Sequence, residues 1–369
     1  MAQIRQNTTV VVGMSGGVDS SVAAALLLEQ GYSVIGVTMK TYHFDEVGGN
    51  VGNETSCCGL DAFNDARQVA VSLGIPHYVV DFTKEFGSEV VDNFVDEYLQ
   101  GRTPNPCVIC NRAIKWGALL RKAESLGASH IATGHYARLW RDETTGRYSV
   151  GRPRDERKDQ TYALWGLSQD ALARTLFPLG ELTKPEVRAI AERHGLKTAF
   201  KEESFEICFV ADDDYRRFLN ERRPGLNERL AGGDIGLDGE VVGQHRGYPF
   251  YTIGQRSGIG AHGDRVYVTA IDPATNTVRI GRNDDLLRTG LRAGKVNFVS
   301  VPDLGNGPRE VQAMVRYRDT ATDAVATVTA QGGLEVRFRE PKRAITPGQS
   351  VVLYDRDRLL GGGVIEGLL

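Results

Sequence analysis

No apolar run in this 369-residue chain approaches the length of a membrane span. The opening Met-Ala-Gln-Ile-Arg-Gln lacks the charged-then-apolar order of a secretory signal. A cytoplasmic protein without membrane attachment is therefore expected. Excess positive charge is missing too: 44 Lys and Arg stand against 47 Asp and Glu, for a formal net charge of -3. Any nucleic-acid partner must then be met by local basic patches. There is no internal repeat and no low-complexity tract. Cysteine is scarce and odd in number, at 57, 58, 107, 110 and 208. Five such thiols argue against a disulfide framework and for reactive thiols or a metal. What is present, 41% hydrophobic and 25% charged residues, is a globular composition over a length that allows two or three domains.

The most informative stretch is Gly13-Met14-Ser15-Gly16-Gly17-Val18-Asp19-Ser20-Ser21. It follows the strand-forming Thr9 to Val12 and runs into Val22 to Leu28, an apolar run of high helix propensity. A strand, a glycine turn and a helix in that order aim backbone N–H groups and a helix N-terminus at one point, which suits a phosphate. The usual phosphate loop has a lysine before its Ser or Thr, and here Asp19 stands in that place. Backbone donors and the hydroxyls of Ser15, Ser20 and Ser21 can hold a pyrophosphate, with Asp19 holding Mg²⁺ beside it. The plain alternative is a Gly-Gly turn before a helix capped by Asp19 or Ser20. The full string resembles the PP-loop of the ATP pyrophosphatases, which split ATP to AMP and pyrophosphate.

The rhythm continues with a strand over 33–39, a helix from Phe63 to Leu73, a strand over 77–80, helices over about 84–99 and 112–126, and a strand over 130–133. A parallel α/β sheet follows from this order, with Met39, Gly134 and His135 at the carboxyl edges of strands, where such sheets bind ligands. Two prolines in Thr103-Pro104-Asn105-Pro106-Cys107 are expected to forbid a helix there. Arg152 to Gln160 reads as a basic loop, and Thr183 with Pro185 as a helix start. Past Tyr215 glycine and β-branched residues rise. We expect a PP-loop catalytic domain over 1–213, a small Gly-rich, loop-rich middle domain over 214–290 and an antiparallel β-barrel over 291–369.

Cys107 and Cys110 form a Cys-x-x-Cys pair that does not open a helix after a strand, which weakens a thioredoxin-like reading. Four thiols at 57, 58, 107 and 110 can be written as a zinc site, but the adjacent Cys57-Cys58 is poor spacing for one. Cys57 and Cys58 are equally explained as small buried residues beside the sheet.

Taken in order, Ser-Gly-Gly-Val-Asp-Ser, Cys-Cys-Gly-Leu-Asp, Thr-Pro-Asn-Pro-Cys-Val-Ile-Cys-Asn, Thr-Gly-His-Tyr-Ala, Lys-Asp-Gln, Glu-Ile-Cys-Phe-Val and Phe-Tyr-Thr-Ile-Gly-Gln-Arg make the chain resemble the tRNA-specific 2-thiouridylases over essentially its whole length. The resemblance implies that the wobble uridine of tRNA exchanges its C2 oxygen for sulfur, with ATP and Mg²⁺ required. It assigns the persulfide to Cys208 and makes Cys110 the second thiol. Cys110 either releases the sulfur or resolves the intermediate, leaving a Cys110–Cys208 disulfide for a reductant to reopen. It puts ATP on Gly13, Met14, Ser15, Gly16, Gly17, Val18, Asp19, Ser20, Met39 and Gly134. Asn105, Pro106 and Cys107 would line the pocket for a base taken out of its stack.

His135, Lys158, Asp159, Gln160, Arg316, Tyr317 and Gln349 match positions that face tRNA in the family, and a persulfide-carrying donor protein is the other implied partner. Many family members have Asp where this chain has Cys107, which leaves three thiols, Cys107, Cys110 and Cys208, as the minimum for an iron–sulfur cluster in an alternative route. The rival enzyme reading is another PP-loop adenylating ligase, one that amidates a nucleotide or an amino acid; such a reaction has no use for Cys110 and Cys208. A tRNA-binding or sulfur-relay protein without ATP use is the rival outside catalysis.

Overall fold

Val10, Val11 and Val12 have no solvent exposure in the computed structural model, which describes residues 8–42, 60–201, 207–210 and 212–369. Cys57, Cys58, Gly59, the glycine-rich stretch at 48–53 and Glu202 to Glu206 lie outside the described residues. The chain divides into two compact units. One comprises residues 1–90, 107–213 and 357–359, the other 91–106, 214–356 and 360–369.

In the first unit the three valines belong to β1 (Thr9–Gly13), the middle strand of a five-stranded sheet. A strand buried on both faces reads as a continuous apolar run, and this is the position that a parallel sheet reserves for one. β1 pairs in parallel with β2 (Ser33–Lys40) on one side and β4 (His130–Ala132) on the other. β3 (His77–Asp81) lies beyond β2, and a short strand unforeseen from sequence, Thr175–Leu176, lies beyond β4. Strand order therefore reverses beside β1, which places the glycine loop at a topological switch point. Helix α1 (Val18–Glu29) is apolar around its circumference, with Val22 to Ala25 and Leu27 buried, so it needs cover on every side. The sheet, α2 (Leu60–Leu73) and the Lys184–Arg193 helix supply it through Val10, Val12, Ala66, Val69, Val187 and Ala191.

Between β4 and the fifth strand the sequence reading missed a hairpin, β5 (Arg138–Arg141) with β6 (Tyr148–Gly151). Arg358 and Leu359 pair with Gly151 and Val150 of that hairpin. The expected proline-stiffened loop is also corrected. Pro106–Cys110 is helical and continues through a π-helical stretch, Asn111–Ala118, into Leu119–Ser125. Pro106 is at the first helical position, where the missing N–H would have had no intrahelical partner.

In the second unit a four-stranded sheet follows the helices Tyr215–Arg222 and Leu226–Leu230. Gly233–Leu237, Glu240–His245, Tyr267–Asp272 and Thr277–Gly281 are its strands, the middle pair parallel and the outer pairs antiparallel. The expected barrel follows. Leu287–Phe298, Arg309–Met314, Thr322–Val328, Leu334–Arg343, Ser350–Asp355 and Arg358–Leu368 form an antiparallel ring of six, closed by the pairing of Leu287–Phe298 with Arg358–Leu368. Closure leaves no sheet edge, and alternate residues such as Leu334, Val336, Val351 and Leu353 fill the interior. No helix among the described residues is long and apolar enough to cross a membrane.

Leu353 is fully buried in the barrel interior. Leu353→Ala is expected to cost about 2–5 kcal/mol, read from the shift of a urea midpoint at constant slope. A loss below about 1 kcal/mol would mean that the strand does not face the interior.

Candidate functional site

The site in the first unit is built around the loop that leaves β1. Gly16 adopts φ +71°, and a Cβ there would stand 2.3 Å from the carbonyl oxygen of Ala62 in α2. Glycine is required on both counts. Ser15 N–H donates to Ser20 Oγ at 3.2 Å, and the Ser20 and Ser21 hydroxyls donate to the Gly17 carbonyl at 3.2 and 2.8 Å. The buried Thr38 of β2 donates to the Met14 carbonyl at 2.9 Å. The loop is thus held from below, and its N-cap, Gly17, has no side chain with which to satisfy the first-turn N–H groups of α1. Those donors suit an anion.

The lysine absent from the loop arrives from far along the chain. Lys184 Nζ donates to both Asp19 carboxylate oxygens, at 2.7 and 2.9 Å, with only 9% of its side chain exposed. Tyr136 OH donates to Asp19 Oδ1 at 2.8 Å. The Tyr136 N–H is in turn held by Gln160 Oε1 at 2.9 Å, and Lys184 N–H by Asp155 Oδ2 at 3.0 Å. That backbone bond is the main reason the Asp155 carboxyl is held below its usual range.

Lys184 opens the Lys184–Arg193 helix, whose start carries the expected cap: Thr183 and Glu186 form a capping box, with Pro185 in the first turn. Sequence reasoning assigned no role to Lys184, Tyr136 or Thr38. A signal for the first was available, because a cation in the first turn of a helix opposes the macrodipole and needs another reason to be there. About one turn later on the same helix, Arg188 donates to the Ala199 carbonyl and, at 3.1 Å, to that of Lys201. Lys201 also pairs with Asp65 of α2.

The other predicted ATP residues lie around this loop or at its edges. A Cβ on Gly134 would come within 2.7 Å of the Asp19 carbonyl carbon and the Ser20 nitrogen. Gly134 therefore lets the end of β4 press against the first turn of α1. Met39 is half-buried at the carboxyl end of β2.

Cys107 and Cys110 are three residues apart on a helix and so are neighbours on one face, Cys107 exposed and Cys110 half-buried. Asn111 anchors the helix by donating to the Ala163 carbonyl at 2.9 Å, and Trp116 by donating to Thr175 Oγ1 at 2.7 Å. Cys208 is half-buried in a turn closed by Val210 N–H to the Ile207 carbonyl at 2.9 Å. Its neighbour Phe209 is buried edge-on against Phe86, with ring centroids 5.5 Å apart. Among the described residues no three His, Cys, Asp or Glu side chains converge on a metal position. Cys107 and Cys110 ride on one helix and Cys208 on a separate turn.

The predicted RNA-facing residues differ in what already engages them. Asp159 takes an ion pair from Arg152 at 3.1 Å and two bonds from Thr161, while Lys158 is half-buried. His135 is buried, its Nδ1 2.6 Å from Thr133 Oγ1 and its ring beside Trp116 and Phe177. In the second unit Gln349 Nε2 donates to the Thr103 and Pro104 carbonyls at 3.2 and 2.8 Å, and Thr103 N–H to the Pro347 carbonyl at 2.9 Å. These bonds set the backbone just ahead of Asn105, which is half-buried, and Pro106, which is buried. Arg316 and Tyr317 are exposed on a turn of the barrel.

Three family models match the chain. Residues 8–212 match a tRNA methyl transferase HUP domain, 217–282 a tRNA methyl transferase PRC-barrel domain and 288–365 an aminomethyltransferase beta-barrel domain. The tRNA-specific 2-thiouridylase MnmA of Salinibacter ruber is 53% identical over 360 residues, covering 97% of this chain and 94% of that protein. Its counterpart in Pelotomaculum thermopropionicum is 51% identical over 362 residues, covering 98% of each.

Two predictions follow from the geometry. Lys184→Met leaves the Asp19 carboxylate without its ammonium and is expected to cost about 1–3 kcal/mol by chemical denaturation, the lower end reflecting partial solvent access to Asp19. Burial holds His135 well below its usual value of 6.5, so the folded protein keeps it neutral. Its stabilising contribution is then intact above 6.5 and is lost as pH falls toward the folded value. Denaturant midpoints measured from about pH 7.5 to about 5.5 should fall, and His135→Gln should make the fall shallower.

Proposed function

The chain belongs to the tRNA-specific 2-thiouridylase family, and from that premise we propose that it is a tRNA-uridine 2-sulfurtransferase. It uses ATP to replace the C2 oxygen of the wobble uridine with sulfur. The observation that carries the proposal is that the phosphate loop with Asp19, the helix with Cys110 and the turn with Cys208 all belong to one compact unit. A phosphate loop alone fits any adenylating ligase, but a ligase that amidates has no need of the two thiols. Methyl transfer, the activity in the names of two of the matching domain models, needs neither a pyrophosphate loop nor Cys208.

The uridine C2 carbonyl is urea-like, a poor electrophile with a very poor leaving group. Transfer of AMP to that oxygen, with release of pyrophosphate, corrects both faults. Gly13 to Ser20 cradle the phosphates through backbone N–H groups and the α1 N-terminus, and Met39 and Gly134 border the nucleotide. Lys184 supplies the positive charge that a phosphate loop usually carries within itself, and Tyr136 and Asp155 hold the partners that keep it at the loop. Asp19 and the neighbouring hydroxyls are hard oxygen donors of the kind Mg²⁺ takes, and the ion would offset charge on the departing pyrophosphate.

The terminal sulfur of a Cys208 persulfide, charged by a donor protein, then forms the bond to C2 as AMP leaves with the former carbonyl oxygen. Cys110 thiolate breaks the remaining S–S bond, and the resulting Cys110–Cys208 disulfide is reopened by a reductant. Catalysis in this reading is carried by residues 1–213, with Asn105, Pro106 and Cys107 at the flipped base. His135, Lys158 to Gln160, Arg316, Tyr317 and Gln349 serve the RNA, directly or by shaping what touches it. A tRNA substrate implies a cytoplasmic protein.

Mass analysis of nucleosides from tRNA incubated with the protein, ATP and a persulfide donor should show 2-thiouridine. Pyrophosphate release without any thionucleoside would point to another adenylating ligase. Cys208→Ala should abolish the thionucleoside and leave tRNA-dependent pyrophosphate release, whereas Asp19→Asn should remove both. Affinity for tRNA should fall steeply with salt; a flat response would exclude the basic contacts.

A further inference from the structure

The strand Arg309–Met314 is joined to Thr322–Val328 by a turn whose tip is Arg316-Tyr317-Arg318. The turn closes by Asp319 N–H to the Arg316 carbonyl at 3.3 Å, and Arg318 sits at φ +60°. That left-handed conformation is strained for a residue with a Cβ, so something must over-determine it. The structure shows what does. Lys342, on the strand Leu334–Arg343, has its ammonium buried beneath the turn, 3.0 Å from Asp319 Oδ2, 2.6 Å from the Thr320 carbonyl and 2.5 Å from Thr322 Oγ1. Its three N–H donors thus meet three oxygens, and no capacity is left over. Asp319, with 5% of its side chain exposed, also accepts from Val315 N–H at 3.1 Å and faces Arg316 at 3.6 Å. Arg316 is held from its other side by the Arg343 carbonyl at 3.1 Å.

Buried ion pairs are poor sources of net stability, and a hairpin turn is closed more cheaply by glycine. What this one achieves is presentation. Tyr317 is 44% exposed, and the Arg318 guanidinium lies 5.7 Å from its ring centre. An exposed aromatic ring with one guanidinium beside it, and a second on the preceding residue of the same stiff turn, matches an unstacked base with neighbouring phosphates.

We propose that Asp319 and Lys342 are positioning residues for RNA: their buried pair fixes the turn so that Tyr317 stacks on an unpaired base while Arg316 and Arg318 meet the flanking phosphates. This rests on the reading of tRNA as the substrate. It goes beyond that reading by naming the kind of nucleotide met at this turn and the residues that act without touching it.

The test is a double-substitution cycle on tRNA affinity at fixed salt, using the full-length protein, with ATP affinity and thermal unfolding measured alongside. Arg316→Ala and Lys342→Met should each weaken tRNA binding about fivefold to tenfold and leave ATP affinity unchanged. The double variant should be no weaker than the worse single by more than about twofold, because both act through one turn. Tyr317→Phe should bind as the unsubstituted protein does, and Tyr317→Ala about tenfold less tightly. If Lys342→Met does not fold, Thr322→Val, which removes one acceptor and leaves the ion pair, takes its place with an expected loss of about twofold to threefold. A folded Lys342→Met or Thr322→Val with unaltered tRNA affinity, or effects of Lys342 and Arg316 that multiply, would overturn the proposal. If the unsubstituted protein itself fails to bind tRNA, the substrate reading fails, and this proposal with it.

Discussion

A buried ammonium must find a carboxylate, and the meeting of Lys184 with Asp19 is the constraint on which the nucleotide-handling unit depends. Asp19 is in the first turn of the helix after β1, where a carboxylate is favoured, and Lys184 is in the first turn of another, where a cation is not. Each solves the other's problem only if the two helices start at the same place. Tyr136 and Asp155 make that arrangement stiffer, one by donating to Asp19 and the other by fixing the backbone of Lys184. Three separated segments are thereby tied to a loop that by itself has no cation for the anion it is shaped to hold.

The thiols are handled differently, as suits groups that must react. Cys110 sits on a helix anchored at Asn111 and Trp116, whose backbone passes through a π-helical register of a kind often found near functional sites. Cys208 sits on a short turn beside the buried Phe209 and Val210. In the proposed reaction the Cys208 persulfide meets a donor and then the substrate, and a short turn can change position at smaller cost than a helix can. Cys107 is the exposed member of its pair.

In the second unit the barrel is a closed ring, and the residues proposed to serve the RNA sit on the connections between its strands. Gln349 was expected to face RNA. Its amide instead holds the backbone carbonyls that precede Asn105, so any effect it has on substrate is exerted at least in part through that segment. Arg316 and Tyr317 remain on the surface because Lys342 and Asp319 are buried beneath them.

Local order along the chain was enough to reveal the parallel sheet, the phosphate loop, the capped helix at Thr183 and the terminal barrel, because valine runs, glycine turns and alternating burial are set by neighbours a few residues apart. It was also enough, through its motifs, to identify the family. It misjudged Pro106, since a proline reads as a helix breaker until its place at the first helical position is known. It passed over Thr175–Leu176, a strand too short to show a period. Only the tertiary structure decided that the missing cation is Lys184, that Tyr136 and Thr38 brace the loop, and that Gln160 and Gln349 are engaged by backbone. Those pairings join residues from 24 to 246 positions apart, and complementarity at such range leaves no periodicity in a sequence to read.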